Sequence, residues 1–341
     1  MPEVSVLMSV RNGEAYLREA VESILAQTFE DFEFIIIDNH SSDRTREILE
    51  TFRDPRIVIT RPPRPESIAG ALNHGGGKVT TDLVARMDAD DIALPNRLEA
   101  QLDFLRKHPE VGILGTQVEP IDSKGAVLPP EPLRKPETHE EIAWNLFFGC
   151  PLWHPTVMVR KSVLESLNWY GSPAIHGREQ FSGEDYDLWC RAVTKTQIRN
   201  LPEILLRYRL HENALSQDQE KRKAHCENLI RIHHDHFKAL FHEEIDPSVS
   251  AGLLGVSSLL VGDQPACPDA LTKMTAMLIR WAKKRGTRGS SLKRLRGRLI
   301  KALDTAIWER GFNIQRQCLK IAKSDWQVGV GVWRLAWRRF L

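Results

Sequence analysis

The chain has 341 residues, of which 42% are hydrophobic and 27% are charged, and its formal net charge is +2. This composition excludes a largely disordered chain and is typical of a folded globular protein. The length suffices for one large α/β domain followed by about 100 further residues.

The charges are distributed unevenly between the two parts of the chain. Residues 1–240 carry 29 basic and 37 acidic side chains, whereas residues 241–341 carry 18 basic and 8 acidic side chains. We therefore predict a catalytic domain at 1–240 and a basic C-terminal region at 241–341. Either the basic region contacts an anionic surface, or it only neutralises the acidic domain.

Short apolar runs alternate with segments of helical periodicity in the first third of the chain. The predicted helices are Glu14–Ala26, residues 43–52 with Asp43 as N-cap, residues 66–74, and one that starts at Pro95. The predicted strands are Val4–Val10, Phe34–Ile37, Ile57–Ile59, Leu83–Met87 and Val111–Leu114. This alternation predicts the α/β class, with a mostly parallel sheet flanked by helices.

The later segments follow other patterns. Residues 118–140 are rich in proline and charge and predict a loop, and residues 141–212 mix short strands and helices. A long helix is predicted over about 215–241, and the pattern beyond residue 245 is helical and basic.

The cysteines and the apolar segments indicate in which cellular compartment the protein is expected. The five cysteines are odd in number and form no CxxC pair, and no secretory signal pattern precedes the first strand, so we expect reduced thiols. The longest nearly apolar stretch outside the strands, Ala251 to Gly262, has about twelve residues, whereas a spanning helix needs roughly 20. We expect a cytoplasmic protein, either free or peripheral on the cytoplasmic face of a membrane.

Polar residues follow three of the predicted strands. They are Arg11-Asn12, Asp38-Asn39 and the run from Asp88 to Asp91. Open α/β sheets bind ligands beyond the carboxyl ends of their strands, so these positions predict a ligand site.

Asp88, Asp90 and Asp91 put three carboxylates within four residues. Such groups repel one another unless a cation compensates them, and Mg²⁺ or Mn²⁺ prefers oxygen ligands of this kind. The alternative is a solvated acidic turn before the next helix. The segment matches an EF-hand loop only in part. Such a loop requires Gly at position 6 and Glu at position 12, and counted from Asp88 these positions are Ala93 and Glu99. The glycine pattern of a dinucleotide site is absent after the first strand.

Five segments, in this order and spacing, resemble family 2 glycosyltransferases with the GT-A (Rossmann-like) fold. They are SVLMSVRNGEAYLREAVESILAQTFEDFEFIIIDNHSSDRT, ALNHGGGKVTTDLVARMDADDIALPNRLEAQ, HPTVMVRKSVLE, SGEDYDLWCRA and LLRYRLHENALS. The resemblance spans about residues 3–216, so it does not include the helical basic C-terminal region.

The resemblance implies roles for the residues at the donor site. Ser9 and Val10 would line the nucleobase pocket. The family typically has two aspartates at the positions of Asp38 and Asn39, and an asparagine oxygen still accepts a hydrogen bond from a pyrimidine N3–H. The other implied nucleotide-sugar contacts are Asn12, Asn73, Arg86 and Asp88, and the implied metal ligands are Asp90, Asp88 and His211.

A second set of residues is implied for catalysis and the acceptor. Asp185 matches the general base, which a weakly nucleophilic sugar hydroxyl requires, and Glu184 would help to position the acceptor. Trp153 and His154 would line the acceptor side. The alternatives are compensation of a helix dipole by Glu184 and Asp185, and ordinary structural roles for His211 and the tryptophans.

These assignments predict an inverting glycosyltransferase. The donor would be a nucleoside-diphosphate sugar, with a UDP-sugar favoured, and the acceptor a glycan or lipid-linked hydroxyl in cell-envelope polysaccharide synthesis. A divalent metal, Mn²⁺ or Mg²⁺, would neutralise the departing diphosphate. Two alternatives are an aspartate phosphatase, whose DxD motif follows an early strand, and a nucleotide-sugar-binding protein without turnover.

Ten Lys and Arg and no acid lie between Arg280 and Lys301, with Leu292, Leu295, Leu299 and Leu303 at helical spacing. Together with Trp333, Trp337 and Phe340, this pattern predicts a helix lying in a membrane interface. The alternative is a helical extension that packs against the rest of the protein. No nucleic acid is expected, because no binding module is recognisable.

Overall fold

The computed structural model describes residues 2–129, 134–171, 182–211, 219–254, 268–284, 286–309 and 328. The chain forms two compact units. The first unit comprises Met1–His139 and Pro151–Asp218, and the second comprises Glu140–Cys150 and Gln219–Leu341.

The first unit is built on an eight-stranded sheet. Its strands are β1 (Val4–Val10), β2 (Phe32–Asp38), β3 (Ile57–Thr60), β4 (Leu83–Asp88), β5 (Ile92–Ala93), β6 (Val111–Ile121), β7 (Met158–Arg160) and β8 (Gln197–Arg209). They lie in the order β3-β2-β1-β4-β7-β6-β8-β5. The neighbours within β3-β2-β1-β4 and the pair β6-β8 are parallel, whereas β7 and β5 pair antiparallel with their neighbours.

The helices of the first unit connect these strands. They are α1 (Leu17–Leu25), α2 (Thr45–Leu49), α3 (Ile68–Gly76), α4 (Arg97–Lys107), α6 (Lys161–Ser166) and α7 (Glu184–Ala192); α5 (His139–Asn145) begins at the last residue before the second unit. The predicted α/β class with a mostly parallel sheet flanked by helices is confirmed.

Burial explains why these segments form these elements. The central strands β1, β2 and β4 are buried on both faces, as strands covered by helices on both sides are. Helix α1 buries Leu17, Ala20, Val21 and Ile24 at helical spacing against this sheet. Register then fixes the strand ends, because Ser9 pairs with Asp88 and Val10 pairs with Asp38.

Helix α3 contains glycines because it packs closely on the sheet. A Cβ at Gly75 would lie 2.5 Å from the Cδ1 atom of Ile37 and 2.7 Å from that of Leu7. The absence of a side chain at Gly75 allows this close approach. The helix continues to Gly76, beyond its predicted end at residue 74.

All five predicted strands are present, whereas several predicted ends are wrong. Helix α4 begins at Arg97 rather than Pro95, and the N-cap position of α2 is Arg44 rather than Asp43. Asp43 still supports this helix start, because its Oδ1 accepts from the Thr45 N–H at 3.0 Å. Strand β6 extends to Ile121, into the predicted loop at 118–140, because β8 pairs with it over this length.

The second unit is helical. Its helices are α8 (Gln219–Phe241), α9 (Pro247–Leu254), α10 (Pro268–Lys284) and α11 (Gly289–Glu309). Its core includes Phe147, Phe237, Leu278, Leu295 and Leu299, and Leu292 packs against that core.

The leucine face of α11 is therefore used inside the second unit. Leu295 and Leu299 are fully buried, so this face is not available to enter a lipid interface, and that part of the membrane-helix prediction is wrong. Trp333, Trp337 and Phe340 lie outside the described residues, as does the side chain of Leu303. Among the described residues, no helix combines the length and apolar character that crossing a bilayer requires.

The compact units differ from the expected domains in one respect. Helix α8 and residues 140–150 fall in the second unit, although both precede the expected boundary at residue 240. Compactness does not test which residues catalysis requires, so the boundary between the catalytic domain and the basic region stays a prediction.

Candidate active site

The carboxyl ends of β1, β2 and β4 meet at one edge of the sheet. Ser9 and Val10 lie there in register with Asp88 and Asp38, respectively. The N–H of Asn39 donates to the carbonyl oxygen of Val10 at 2.8 Å, which extends this pairing by one residue. The register thus brings together the strand-end residues that the sequence predicted as a donor site.

Hydrogen bonds join the loops after β1 and β2. Asn12, which has a positive φ of 55°, accepts from the N–H of Ser42 at 2.8 Å, and its own N–H donates to Ser41 Oγ at 3.0 Å. The buried carboxylate of Asp38 accepts from the Ser41 N–H at 3.0 Å, and its other oxygen lies 3.9 Å from Arg61. Asn12 and Asp38 therefore hold the rim of the site in one conformation.

The buried side chain of Asn39 is occupied by the backbone of Glu66. Its Nδ2 donates to the Glu66 carbonyl at 2.7 Å, and its Oδ1 accepts from the Glu66 N–H at 3.0 Å. An aspartate could make only the second of these bonds, which gives a physical reason for the amide at this position. A hydrogen bond from a nucleobase to Asn39 would have to use the remaining lone pair of Oδ1.

The acidic cluster occupies the turn between β4 and β5. Oxygen atoms of Asp88, Asp90 and Asp91 lie within 4.8 Å of one another. The Oδ1 of Asp91 accepts from the Arg209 N–H at 2.9 Å, whereas its buried Oδ2 has no hydrogen-bond partner among the described residues. Three convergent carboxylates with an unused oxygen fit a hard divalent cation.

Two cationic or polar side chains contact the cluster from other elements. Arg86 forms an ion pair with Asp88, and His211 Nε2 lies 3.0 Å from Asp90 Oδ2. Burial and the Asp88 charge nevertheless raise the pKa of Asp90, and burial with both neighbouring carboxylates raises that of Asp91 well above its usual range. The cluster is therefore short of positive charge, and a bound cation would supply it.

Sequence reasoning missed Arg97, which is fully buried next to β4. It donates to the Arg86 carbonyl at 2.5 Å and to Gln101 Oε1 at 3.2 Å. Burial, together with the charge of Arg86, lowers the pKa of Arg97 to about 9. Gln101 in turn donates to the carbonyls of Leu114 and Thr156. Arg97 therefore ties α4 to the strand that ends in the acidic cluster, and Gln101 ties it to β6 and to Thr156. Their spacing of four residues on a predicted amphipathic helix was the available signal.

Arg209 was also missed as a structural residue. Its guanidinium donates to the Asp90 carbonyl at 2.8 Å and to Glu19 Oε2 at 2.5 Å, and it lies 4.6 Å from the Tyr16 ring centroid. These bonds join β8, α1 and the acidic turn. Arg209 thus holds the residue pair that follows it, including His211, next to Asp90.

Glu184 and Asp185 open helix α7, after Gly183 with a positive φ of 100°. Glu184 is buried and its Oε2 accepts from the Gly183 N–H at 3.1 Å, whereas Asp185 is half-buried and accepts from the Tyr186 N–H at 2.7 Å. Burial, followed by the charge of Asp185, raises the pKa of Glu184 to about 7. Of the two carboxylates, Asp185 is the more accessible to an acceptor. Both lie in the first turn, so dipole compensation stays an alternative.

The two predicted acceptor residues lie in different environments. Trp153 is half-buried, with its ring 5.3 Å from Tyr208 and 4.3 Å from the Lys135 ammonium. His154 is buried, and its Nε2 lies 2.7 Å from the Tyr170 hydroxyl. Only Trp153 therefore presents a partly exposed surface on which a sugar could pack. Trp189 is fully buried under His154, so it offers no surface to a sugar.

Comparison with known proteins identifies the family. The family model described as Glycosyl transferase family 2 matches residues 5–167. The O-antigen biosynthesis glycosyltransferase WbnJ of Escherichia coli is 33% identical over 217 residues, which cover 62% of this chain and 81% of that protein. The chain belongs to glycosyl transferase family 2. This glycosyltransferase is thus related to enzymes of polysaccharide and O-antigen biosynthesis.

Solved structures support the fold of the glycosyltransferase. Staphylococcus aureus TarS 1–349 in complex with UDP-GlcNAc matches with a TM-score of 0.58 at 17% identity, over 91% of this chain and 92% of that one. The mannosyltransferase PcManGT of Pyrobaculum calidifontis, in complex with GDP-Man and Mn²⁺, matches with a TM-score of 0.52 at 18% identity, over 97% and 87%. At such identities the likeness concerns the fold, and it confirms the predicted GT-A architecture.

Proposed function

We propose that this glycosyltransferase transfers a sugar from a nucleoside-diphosphate sugar to a hydroxyl of a glycan or lipid-linked acceptor, with inversion, in cell-envelope polysaccharide synthesis. The observation that carries the proposal is the acidic cluster at the carboxyl edge of the sheet, next to strand ends that can receive a nucleotide. A UDP-sugar is favoured, although one structural neighbour was solved with UDP-GlcNAc and another with GDP-Man.

The donor would lie across the ends of β1, β2 and β4. Ser9, Val10, Asn12 and Asp38 would border the nucleoside. Asn39 would act mainly by holding the loop at Glu66, because both polar atoms of its side chain are bonded there.

The acidic cluster would hold Mn²⁺ or Mg²⁺, with Asp90 and Asp88 as ligands and His211 beside them. When bound, such an ion neutralises charge that develops on the departing diphosphate. Arg86 would keep Asp88 in place through its ion pair, and Asn73 would border the donor from helix α3.

Asp185 would take the proton from the acceptor hydroxyl during attack. That oxygen would form a bond to the anomeric carbon while the bond to the diphosphate breaks on the opposite face. A single displacement of this kind inverts the anomeric configuration. Trp153 would offer its partly exposed ring to the acceptor.

Thermal stabilisation by nucleotides tests the donor site directly. UDP, GDP, dTDP and CDP are each added with and without Mn²⁺, and a ligand at 100 times its Kd adds roughly 2.7 kcal/mol to the free energy of unfolding. We expect the largest shift for UDP, dependent on the metal and lost in Asp90→Ala. Equal stabilisation of both proteins with Mn²⁺ would contradict the metal assignment.

We also propose that the basic helices meet an anionic membrane surface. Exposed basic side chains of α10, α11 and the turn between them include Arg280, Lys283, Lys284, Arg288, Lys293 and Arg298. Because Leu295 and Leu299 of α11 are buried in the core, the contact would be electrostatic, worth about 1 kcal/mol for each side chain at the surface. This would place the protein at the cytoplasmic face, near a lipid-linked acceptor.

Sedimentation with vesicles tests this contact. We expect binding to phosphatidylglycerol vesicles, little binding to phosphatidylcholine vesicles, and release by salt. The double variant Lys283→Glu and Lys284→Glu should weaken binding, whereas Lys107→Glu, at the end of α4 in the first unit, is the matched control. Binding that resists high salt would contradict an electrostatic contact.

A further inference from the structure

A chain of polar contacts connects the exposed Asn73 of helix α3 to the first turn of α7 through buried side chains. The Oδ1 of Asn73 accepts from the Tyr170 N–H at 3.1 Å, and the Tyr170 hydroxyl lies 2.7 Å from His154 Nε2. The other ring nitrogen of His154 lies 3.9 Å from Glu184 Oε1. Tyr170, His154 and Glu184 are each at least nine-tenths buried.

The protonation states of these groups restrict the direction of the bonds. Burial lowers the pKa of His154 well below its usual range, so the ring is neutral and carries one N–H. Burial raises the pKa of Tyr170, so its phenol keeps the proton. If Tyr170 donates to Nε2, then Nδ1 carries the hydrogen and points it towards Glu184.

The opposite tautomer is unfavourable once Glu184 is ionised. A bare Nδ1 would then direct its lone pair at a carboxylate oxygen, whereas an Nδ1–H is attracted to it. The other groups whose charges act on Glu184 are Asp185 on the same helix, and Arg86 and Asp88 on β4. Of these groups only Arg86 carries N–H donors, and its ion pair is with Asp88. The attraction between an Nδ1–H of His154 and Oε1 of Glu184 acts over 3.9 Å and is therefore electrostatic rather than a hydrogen bond.

We propose that Tyr170 and His154 are positioning residues, in which the tyrosine hydroxyl fixes the tautomer of the histidine and the histidine orients the carboxyl group of Glu184. The other oxygen of Glu184 accepts from the Gly183 N–H, so the oriented carboxyl group fixes the start of α7. Asp185 is the next residue. The proposal rests on the proposed function in one respect only, which is the assignment of Asp185 as the general base.

This assignment changes the role of His154. The sequence placed it at the acceptor, but its buried ring has Tyr170 on one side and Glu184 on the other. His154 therefore acts through Glu184, and the acceptor would meet the more exposed Trp153 and Asp185.

Nitrogen-15 NMR of the histidine side chains tests the tautomer without any substrate. His154→Gln assigns the signals of this ring, and spectra are recorded one pH unit above the Glu184 pKa of about 7. We expect His154 to be protonated at Nδ1 in the wild type. In Tyr170→Phe, which removes only the hydroxyl, the ring should become a mixture of tautomers. Tyr16→Phe, a second tyrosine next to a histidine, should leave His154 unchanged.

A wild-type ring protonated at Nε2, or a His154 spectrum unaffected by Tyr170→Phe, would overturn the proposal. Turnover adds a second readout, with UDP-GlcNAc as the donor probe and its hydrolysis by water as the reaction. Tyr170→Phe should lower kcat about tenfold with little change in KM, as expected from loss of one positioning hydrogen bond. An unchanged kcat would also contradict the positioning role.

Experiments can distinguish a failure of the proposed function from a failure of the positioning proposal. If Asp185→Asn hydrolysed the donor at the wild-type rate, the base assignment would be wrong, whereas the tautomer of His154 would still be measured. A nucleotide-induced thermal shift in Tyr170→Phe equal to that of the wild type would show that the donor site is intact, so that a lower kcat reports positioning.

Discussion

The acidic edge of the first unit and the basic helices of the second unit differ in how far their charged side chains are buried. At the edge, carboxylates are partly or fully buried, and Arg86 and His211 compensate their charge only in part. In α10 and α11, most of the charged side chains that the structure describes are exposed, and apolar side chains form the core. Buried charge requires specific partners, whereas exposed charge does not. The first region is therefore suited to a shaped catalytic site, and the second to a broad surface.

The largest expected effect concerns Asp185, the proposed general base. Asp185→Asn keeps the shape of the side chain and removes its basicity, so kcat should fall by roughly 10²–10⁴-fold. The measurement is the rate of donor turnover, with the nucleotide-induced thermal shift as a control for folding. A rate within a factor of two or so of the wild type would remove Asp185 as the general base.

The second prediction concerns the apolar side of the comparison. Leu299→Ala leaves a cavity in the helical core of the second unit and should lower the free energy of unfolding by about 2–5 kcal/mol. Lys293→Ala, at an exposed position of the same helix, should change it by less than about 0.5 kcal/mol. Urea unfolding of both variants measures the difference. Equal stabilities would mean that the leucine face of α11 is free, as a membrane-inserting helix requires.

The third prediction concerns the buried carboxyl group of Glu184. Its pKa is raised from 4.5 to about 7, so the folded protein loses stability as the pH rises through this window, by at most about 3 kcal/mol. The glutamine of Glu184→Gln cannot ionise, so this variant should not show the loss of stability with rising pH. The variant should therefore gain stability relative to the wild type between pH 4.5 and pH 7.

Thermal unfolding across this pH range tests the sign. Glu165→Gln, at an exposed position of helix α6, is the matched control and should follow the wild type. If Glu184→Gln also followed the wild type, the carboxyl group would not be buried as a neutral acid.

The same contrast explains how far the sequence predicted the structure. The strands β1 to β4 were predictable because each is a continuous apolar run, and Asp88 and Asp90 were predictable because they end such a run. Strands β5 and β7 have two and three residues, and they exist because distant segments pair with them. No local pattern of that length predicts a strand.

The partners of the buried charges were harder to predict than the charges themselves. Arg97 reads as the polar side of an amphipathic helix, yet it is fully buried and bonded to the backbone of β4. Arg209 contacts residues more than 100 positions away. Such contacts depend on the tertiary arrangement of the elements, which periodicity along one segment does not contain.

The smallest predicted effect concerns Asn39, where the family resemblance and the contacts of this chain point in opposite directions. The family typically has an aspartate at this position, which would make Asn39→Asp harmless. Here the variant loses the bond from Nδ2 to the Glu66 carbonyl and places a carboxylate oxygen against that carbonyl instead. We expect a loss of about 1–2 kcal/mol in the free energy of unfolding, measured by urea denaturation. Because the loop at Glu66 borders the proposed donor site, the nucleotide-induced thermal shift should shrink as well. Unchanged stability together with a larger shift for UDP would show instead that this position contacts the base directly, and that the loop is held by other groups.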